Sequence, residues 1–226
     1  PGVNTDASGT ASATPAAPSG RVAEVEEADI YKIDGNNLLY FNTYRGFLIF
    51  DIADPKSPKQ VSRLPLYGYP IEMFVSGTTV YALIRDALYL TQIDGKPQFE
   101  RYNTSQLVAI DIADPSKPTI IKTVDIIGQL REGVSRKIEN TIYVVSYLPQ
   151  SYYYYGWRYG NSSAATQKEQ AWVYSFDVSD PKAPRKVNEL QIFEGGSVNF
   201  NESGSYYNKY FNNVAISATS NALMVV

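Results

Sequence analysis

One eight-residue pattern occurs three times in this sequence and decides the fold. It reads DIADPKSP from Asp51 to Pro58, DIADPSKP from Asp111 to Pro118, and DVSDPKAP from Asp177 to Pro184. Successive copies start 60 and 66 residues apart (51 to 111, and 111 to 177). Recurrence at this period is typical of proteins that stack copies of one supersecondary unit.

The pattern carries the chemistry of a tight turn. Its second aspartate (Asp54, Asp114, Asp180) is expected to accept hydrogen bonds from backbone N–H groups two or three residues later. The proline that follows (Pro55, Pro115, Pro181) sets φ for the first central position of a type I turn. The alternative, a Ca²⁺ site built from these carboxylates, is less favoured because calcium needs about six to eight oxygens in one place. No cofactor is predicted.

Short apolar segments around each turn predict four antiparallel strands per unit. Each unit opens with two strands joined by a hairpin, predicted at Asp34-Gly35, Ser76-Gly77, Glu139-Asn140 and Ser220-Asn221. A very apolar third strand, the Asp-Pro turn and a fourth strand follow. This order predicts an all-β fold, a β-propeller of four-stranded antiparallel blades, because an immunoglobulin-like sandwich has no reason to repeat one turn at this spacing.

The predicted organisation is an arm followed by about three and a half blades. Residues 1–24 are rich in Ala, Ser, Thr and Pro, a composition that suits either a flexible linker or an extended arm on a neighbouring subunit. Blades are predicted at about 25–68, 69–128 and 129–196, with a partial blade at 197–226. Missing sequence or a neighbouring chain is expected to complete the ring, since the sequence stops inside an apolar strand. The start at Pro1 fits a mature or trimmed chain.

Composition argues against several classes of function. With no histidine and no cysteine in 226 residues, the chain lacks the usual neutral-pH proton shuttle, the usual zinc ligands and a thiol nucleophile. The acidic candidates Glu26-Glu27, Asp51/Asp54 and Asp86 assemble no mechanism, so a non-enzymatic protein is predicted. A net charge of −3 disfavours nucleic acid, and no run of about 18 apolar residues predicts a membrane span.

Two inserted segments interrupt the repeat. Residues 86–106 are predicted to form an extra hairpin in the second unit. An aromatic loop in the third unit contains Tyr152, Tyr153, Tyr154, Tyr155, Trp157 and Tyr159. Tyrosine and tryptophan combine a large rigid surface with a polar tip, which favours a protein interface; packing on the loop's own blade and stacking of a glycan are the alternatives.

Three N-x-[ST] sequences, at Asn103, Asn161 and Asn201, lie in predicted polar loops. They are candidate N-glycosylation sites if the protein is exported.

The opening segment VEEADIYKIDGNNLLYFN resembles the start of a secreted bacterial and archaeal β-propeller family that is distantly similar to WD40 proteins. The repeat DIADPSKPTIIKTVDIIG also resembles the propeller repeats called LVIVD. The resemblance covers residues 25–226 and implies an extracellular or surface-attached propeller with no established catalytic residues.

We therefore expect a structural or protein-interaction module located outside the cell or on its surface. Its expected partners are other protein subunits, through self-assembly into a filament or lattice or through docking on surface proteins. The alternative is a secreted propeller that binds a glycan or a peptide.

Overall fold

The computed structural model describes residues 25–27, 30–93, 95–101, 104–148, 170–195, 216–218 and 223–225. Within these ranges every regular element is a β-strand. The first five strands are β1 (Val25–Glu27), β2 (Tyr31–Asp34), β3 (Asn37–Asn42), β4 (Gly46–Asp51) and β5 (Lys59–Leu64). The next six are β6 (Tyr69–Ser76), β7 (Thr79–Arg85), β8 (Leu88–Ile93), β9 (Lys96–Arg101), β10 (Thr104–Asp111) and β11 (Thr119–Ile127). The last six are β12 (Gln129–Ile138), β13 (Thr141–Leu148), β14 (Gln170–Asp177), β15 (Arg185–Glu194), β16 (Ile216–Ala218) and β17 (Leu223–Val225).

Three antiparallel sheets organise most of the described strands. Sheet 1 has the order β2-β3-β4-β5, sheet 2 the order β6-β7-β10-β11, and sheet 3 the order β12-β13-β14-β15 with β1 added beside β12. The predicted all-β class and the four-stranded antiparallel units are confirmed. A separate pair, β16 and β17, forms a short hairpin of the kind predicted to begin a fourth unit.

The inserted segment of the second unit forms the predicted hairpin. β8 pairs with β9 from Leu88↔Arg101 to Ile93↔Lys96. It leaves the blade order intact, because β7 still pairs directly with β10.

The β6, β7 and β10 strands of sheet 2 are buried on both faces because they lie between the other two sheets, whereas the outer strand β11 is mostly exposed. Alternate side chains of β7 point in opposite directions: Val80 and Ala82 pack with sheet 1, whereas Tyr81 and Leu83 pack with sheet 3. Sheet 1 contributes Leu39, Phe41, Phe47 and Ile49 to the first core. Sheet 3 contributes Ile142, Val144, Tyr174 and Phe176 to the second. Each fully buried side chain of this size contributes roughly 1.5–3 kcal/mol relative to an exposed one, so face-to-face packing of sheets holds the fold together.

The Asp-Pro turns and the first hairpins lie at one end of the sheets, which we name the turn end. In each sheet the residue after the first motif aspartate donates its backbone N–H to a hairpin carbonyl. The three bonds are Ile52 to Asn36 at 2.8 Å, Ile112 to Thr78 at 2.8 Å and Val178 to Asn140 at 2.9 Å. The same geometry therefore recurs three times.

The two-residue hairpin loops differ slightly from the prediction. Because Asp34 pairs with Asn37 in register, the first loop is Gly35-Asn36 rather than Asp34-Gly35. The second loop is likewise shifted by one residue, whereas Glu139-Asn140 is as predicted. The first loop residue has positive φ in each case: 57° at Gly35, 56° at Gly77 and 50° at Glu139. Ser220-Asn221 lies outside the described residues.

Neighbouring sheets are also linked at the turn end. Ser62 Oγ of β5 donates to the carbonyl oxygen of Pro115, in the Asp-Pro turn of sheet 2, at 2.6 Å. Tyr81 Oη of β7 donates to the carbonyl oxygen of Val178, at the Asp-Pro turn of sheet 3, at 3.3 Å. Each Asp-Pro turn of sheets 2 and 3 thus receives a side-chain hydrogen bond from the preceding sheet.

Candidate functional site

The repeated aspartates at the turn end bind their own backbone. Oδ1 of the first motif aspartate accepts the N–H two residues later, at 2.9 Å for Asp51, 2.8 Å for Asp111 and 3.0 Å for Asp177. Oδ1 of the second does the same, at 3.0 Å for Asp54, 2.9 Å for Asp114 and 2.9 Å for Asp180. The carbonyl of that second aspartate accepts the N–H of Ser57, Lys117 or Ala183. Two consecutive Asx turns therefore shape each Asp-Pro corner.

Serine hydroxyls strengthen two of these corners. Ser116 Oγ donates to Asp114 at 2.6 Å, and with the Ser116 N–H it lowers the pKa of that carboxyl. Ser179 Oγ donates to Asp177 at 2.6 Å and likewise lowers its pKa. Among the described residues no group of three or more acidic, histidine or cysteine side chains is arranged to hold a metal ion. The carboxylates at this end act as turn-forming groups.

The remaining acidic candidates lie apart from one another. Glu26 and Glu27 belong to β1, whose backbone pairs with Lys137 and Arg136 of β12. Asp86 lies at the opposite end of sheet 2 and forms an ion pair with Arg85.

The other predicted site residues lie outside the described residues. These are the aromatic loop with Tyr152, Tyr153, Tyr154, Tyr155, Trp157 and Tyr159, the sequon residues Asn103, Asn161 and Asn201, and the arm at 1–24. Leu148 and Gln170, which flank the aromatic loop, pair with each other where β13 ends and β14 begins. That position is at the end of sheet 3 remote from its Asp-Pro turn, which we name the loop end.

A cleft of about 380 Å³ opens at the loop end between sheets 1 and 2. The β3–β4 connection, the β5–β6 connection and the start of the β8–β9 insertion surround it. Its aromatic lining comes from Tyr44, Tyr67 and Tyr69, which are 91%, 51% and 41% exposed. Its charged lining comes from Arg45, Arg63 and Asp86. Such a volume lies within the range of about 300–1,000 Å³ that is usual for ligand sites.

Backbone interactions fix the first wall of the cleft. Asn42 Oδ1 accepts the N–H groups of Tyr44 at 2.9 Å and Arg45 at 3.1 Å, which closes the β3–β4 turn. Arg63 Nε donates to the carbonyl oxygen of Arg45 at 2.7 Å, so the two arginines share one wall. Gly46 follows with φ +81° and is packed against the backbone of Leu64. The turn thus presents Tyr44 and Arg45 from a rigid base.

The opposite wall is organised around Arg85. Its guanidinium carbon lies 4.6 Å from the centroid of the Tyr69 ring, within the range of cation–π attraction. Its Nε lies 3.4 Å from Asp86 Oδ2, an ion-pair distance, although Nε makes no hydrogen bond. Asp86 has φ +49°, a conformation that few residues other than glycine adopt. The N–H of Leu88 donates to the carbonyl of Tyr67 at 3.3 Å and ties the insertion to this wall.

A buried carboxylate lies between sheets 2 and 3. Glu72 of β6 is only 4% exposed and accepts hydrogen bonds from the Gly133 N–H and from Ser135 Oγ. Burial raises the pKa of Glu72, against the lowering effects of these two hydrogen bonds and of Arg136. Both donors belong to an irregular part of β12, between Leu130 and Ser135. The contact joins the first strands of two neighbouring sheets and has a structural role.

Sequence reasoning did not find the cleft. Its residues come from three connections, and only packing of sheet 1 against sheet 2 brings Arg45, Tyr67 and Asp86 together. The available signal is the tyrosine-rich connection LYGYP, residues 66–70, which looks like ordinary loop sequence. Nothing in the sequence marks Glu72 as a buried, hydrogen-bonded carboxylate, because it lies in an apolar strand and its partners are far away in the sequence.

Comparison with known proteins identifies a family. Residues 20–173 match the family model described as "Beta propeller domain". No curated protein matches the chain. In the part of the chain that the structure describes, no helix has the length and apolarity needed to cross a membrane.

Proposed function

The chain belongs to the β-propeller domain family, and from this membership we propose that it is a non-enzymatic protein-interaction module that acts outside the cell or on its surface. Propellers present connections from several blades on one end, and these connections are free to vary while the sheets keep the fold.

The observation that carries the proposal is the tyrosine-lined cleft at the loop end. Tyr44, Tyr67 and Tyr69 expose their rings beside Arg45 and Arg63. Tyrosine and arginine are enriched in protein interfaces and in the residues that dominate binding energy. In the part of the chain that the structure describes, the turn end offers no comparable surface, since its carboxylates are already bound to their own backbone.

Three features of the sequence support the extracellular setting and assembly into a filament or lattice. These are the resemblance to secreted propellers and LVIVD repeats, the arm at 1–24, and the aromatic loop that begins its tyrosine run at Tyr152. In that setting Asn103, Asn161 and Asn201 are the proposed glycan attachment sites. The partner is a second copy of the chain or another surface protein.

Negative-stain imaging and sedimentation velocity of the purified native protein test this function. We expect polymers or higher oligomers from the wild type, and smaller species from a Tyr44→Ala, Tyr67→Ala double variant. A Lys56→Ala, Lys117→Ala double variant at the turn end is the control and should assemble normally. If the wild type stays a monomer at all concentrations and binds no surface protein, the proposal is wrong.

A second function, binding of a glycan or peptide ligand, is favoured by the size of the cleft. About 380 Å³ is large enough for a few sugar or amino-acid residues. A glycan array with the monomeric protein tests this alternative, and binding without assembly would support it over the first.

A further inference from the structure

The cleft offers hydrogen-bond donors in excess of acceptors. Arg45 and Arg63 present guanidinium groups, which only donate, and tyrosine hydroxyls donate as well as accept. Asp86 is the one carboxylate among the described residues that line the cleft. A ligand that supplies acceptors therefore matches this lining better than a ligand that supplies donors.

The charges around the cleft also favour a ligand that supplies hydrogen-bond acceptors. Arg85 accompanies Asp86 at 3.4 Å and offsets its negative charge. Neither Arg45 nor Arg63 forms an ion pair with another residue in the described part of the chain. The wall that these two arginines share is thus positive, on a protein whose net charge is −3. A local charge of opposite sign to the whole chain selects the ligand by electrostatic attraction.

We propose that this cleft binds an acidic peptide segment of a protein partner, with Arg45 and Arg63 receiving its carboxylates and Tyr44 and Tyr67 packing against the chain between them. An ionised carboxylate accepts hydrogen bonds only, and its geometry fits the planar guanidinium group. The inference rests on the proposed interaction function and adds the chemical class of the bound segment.

An acidic peptide fits the lining better than a sugar chain does. Sugar hydroxyls need acceptors as well as donors, and Asp86 offers the single carboxylate acceptor among the described residues of the lining. The cleft also contains the apolar side chains of Pro65 and Leu88, which suit the aliphatic parts of a peptide. A polyuronic acid is therefore the comparison ligand in the experiment.

The test uses fluorescence anisotropy of a labelled octaglutamate peptide with the whole chain at low ionic strength. Octaglutamine is the neutral control, and hexagalacturonate is the acidic glycan. We expect octaglutamate to bind, octaglutamine to bind at least tenfold more weakly, and added salt to reduce the affinity, because screening reaches about 10 Å at 0.1 M salt.

Matched variants locate the site. Arg45→Gln and Arg63→Gln should each weaken octaglutamate binding roughly fivefold, the size expected of one charge-assisted contact at an exposed position. Lys56→Gln makes the same charge change at the turn end and should leave the affinity unchanged. Tyr44→Phe should retain binding, whereas Tyr44→Ala should weaken it.

Specific outcomes overturn the inference. Equal affinity for octaglutamate and octaglutamine would remove the role of charge, and equal losses in the Lys56→Gln and Arg63→Gln variants would remove the site. Tighter binding of hexagalacturonate would replace the peptide with an acidic glycan. If octaglutamate fails to bind while the wild type still assembles through Tyr44 and Tyr67, this inference fails and the proposed function survives.

Discussion

The three sheets are alike at the turn end and differ at the loop end. At the turn end, Asp54, Asp114 and Asp180 each accept a backbone N–H two residues later, at 3.0, 2.9 and 2.9 Å. At the loop end the connection after the second strand differs in every sheet: three residues follow β3, an inserted hairpin follows β7, and a segment of 21 residues (149–169) separates β13 from β14.

This difference indicates that the two ends of the sheets have different roles. A corner that recurs with one geometry serves the packing of each sheet against the next, since Ser62 and Tyr81 both bond to the corner of the following sheet. Connections that differ between sheets are not needed for that packing, so they are free to form a binding surface. The comparison therefore assigns the contact between neighbouring sheets to the turn end and recognition to the exposed side chains of the loop end.

The largest expected effect tests whether the variable loop end rests on a tightly packed backbone. Gly46 has φ +81°, and an added Cβ would lie 2.4 Å from the Leu64 carbonyl oxygen and 2.6 Å from the Leu66 nitrogen. Gly46→Ala should therefore lower the free energy of unfolding by roughly 3–5 kcal/mol, from backbone strain plus overlap. Gly35→Ala at the turn end, with φ +57° and open space around it, should cost about 1 kcal/mol.

Urea denaturation of the two glycine variants gives the comparison directly. Equal losses would mean that the backbone under the cleft is not packed as described. A larger loss in Gly46→Ala would show that the variable surface rests on a fixed base.

The second prediction concerns the junction between sheets 2 and 3. Glu72→Ala leaves the Gly133 N–H and Ser135 Oγ without their acceptor in a buried site, which should cost about 1–3 kcal/mol of stability. Glu72→Gln keeps the shape of the side chain and removes its titration, so it serves as the reference for pH dependence.

The direction of that pH dependence follows from the raised pKa. Burial lifts the pKa of Glu72 above 4.5, so the folded protein holds this proton more tightly than the unfolded chain does. Its stabilising contribution is full below about pH 4.5 and is lost as the pH rises through the raised pKa. The free energy of unfolding of wild type minus that of Glu72→Gln should fall over this window; a difference that is flat or rising contradicts the burial argument.

Much of the fold could be predicted from the sequence because its determinants are local and repeated. The Asp-Pro motif combines a side-chain acceptor with a fixed proline φ, and apolar segments flank each copy. The same local reasoning misplaced two hairpin loops by one residue, because register is set by pairing across the hairpin, as between Asp34 and Asn37.

The cleft could not be predicted because it depends on contacts between sheets. Tyr44 and Tyr69 are 25 residues apart (44 to 69) and belong to different sheets or connections, and no local pattern relates them. The pairing of β1 with β12 is another long-range contact of this kind, since it joins residue 25 to residue 138. The sequence shows which residues form strands, but the stacking of sheets decides which loops meet.

The third prediction tests whether the repeated Asp-Pro corners at the turn end contribute to stability in the same way. Asp54→Ala and Asp180→Ala each remove the acceptor of one backbone N–H from the same type of corner, so the two should destabilise the fold by similar amounts, smaller than Glu72→Ala. Asp114→Ala should cost somewhat more than these two, because Asp114 also accepts the hydroxyl of Ser116. Thermal unfolding measures this. If one of these variants were neutral while the others destabilised the fold, the corners would not be equivalent.

The dependence of stability on pH provides a further test at Asp114. Hydrogen bonds from the Ser116 hydroxyl and N–H lower the pKa of this carboxyl below 3.8, so its stabilising contribution is present above about pH 3.8 and is lost as the pH falls through the lowered value. The stability difference between wild type and Asp114→Ala should therefore shrink in acid, and Ser116→Ala should shift that loss to higher pH.

The smallest expected effect on stability completes the comparison. Tyr44 is 91% exposed, so Tyr44→Ala removes almost no buried surface and should change the free energy of unfolding by less than about 0.5 kcal/mol. The same substitution should weaken partner binding, because the ring forms part of the cleft wall. Urea denaturation and octaglutamate binding, measured on one preparation, separate the two effects. If Tyr44→Ala instead destabilises the fold as much as Asp54→Ala does, the exposed side chains of the loop end contribute to stability as the turn-end corners do, and the division between them fails.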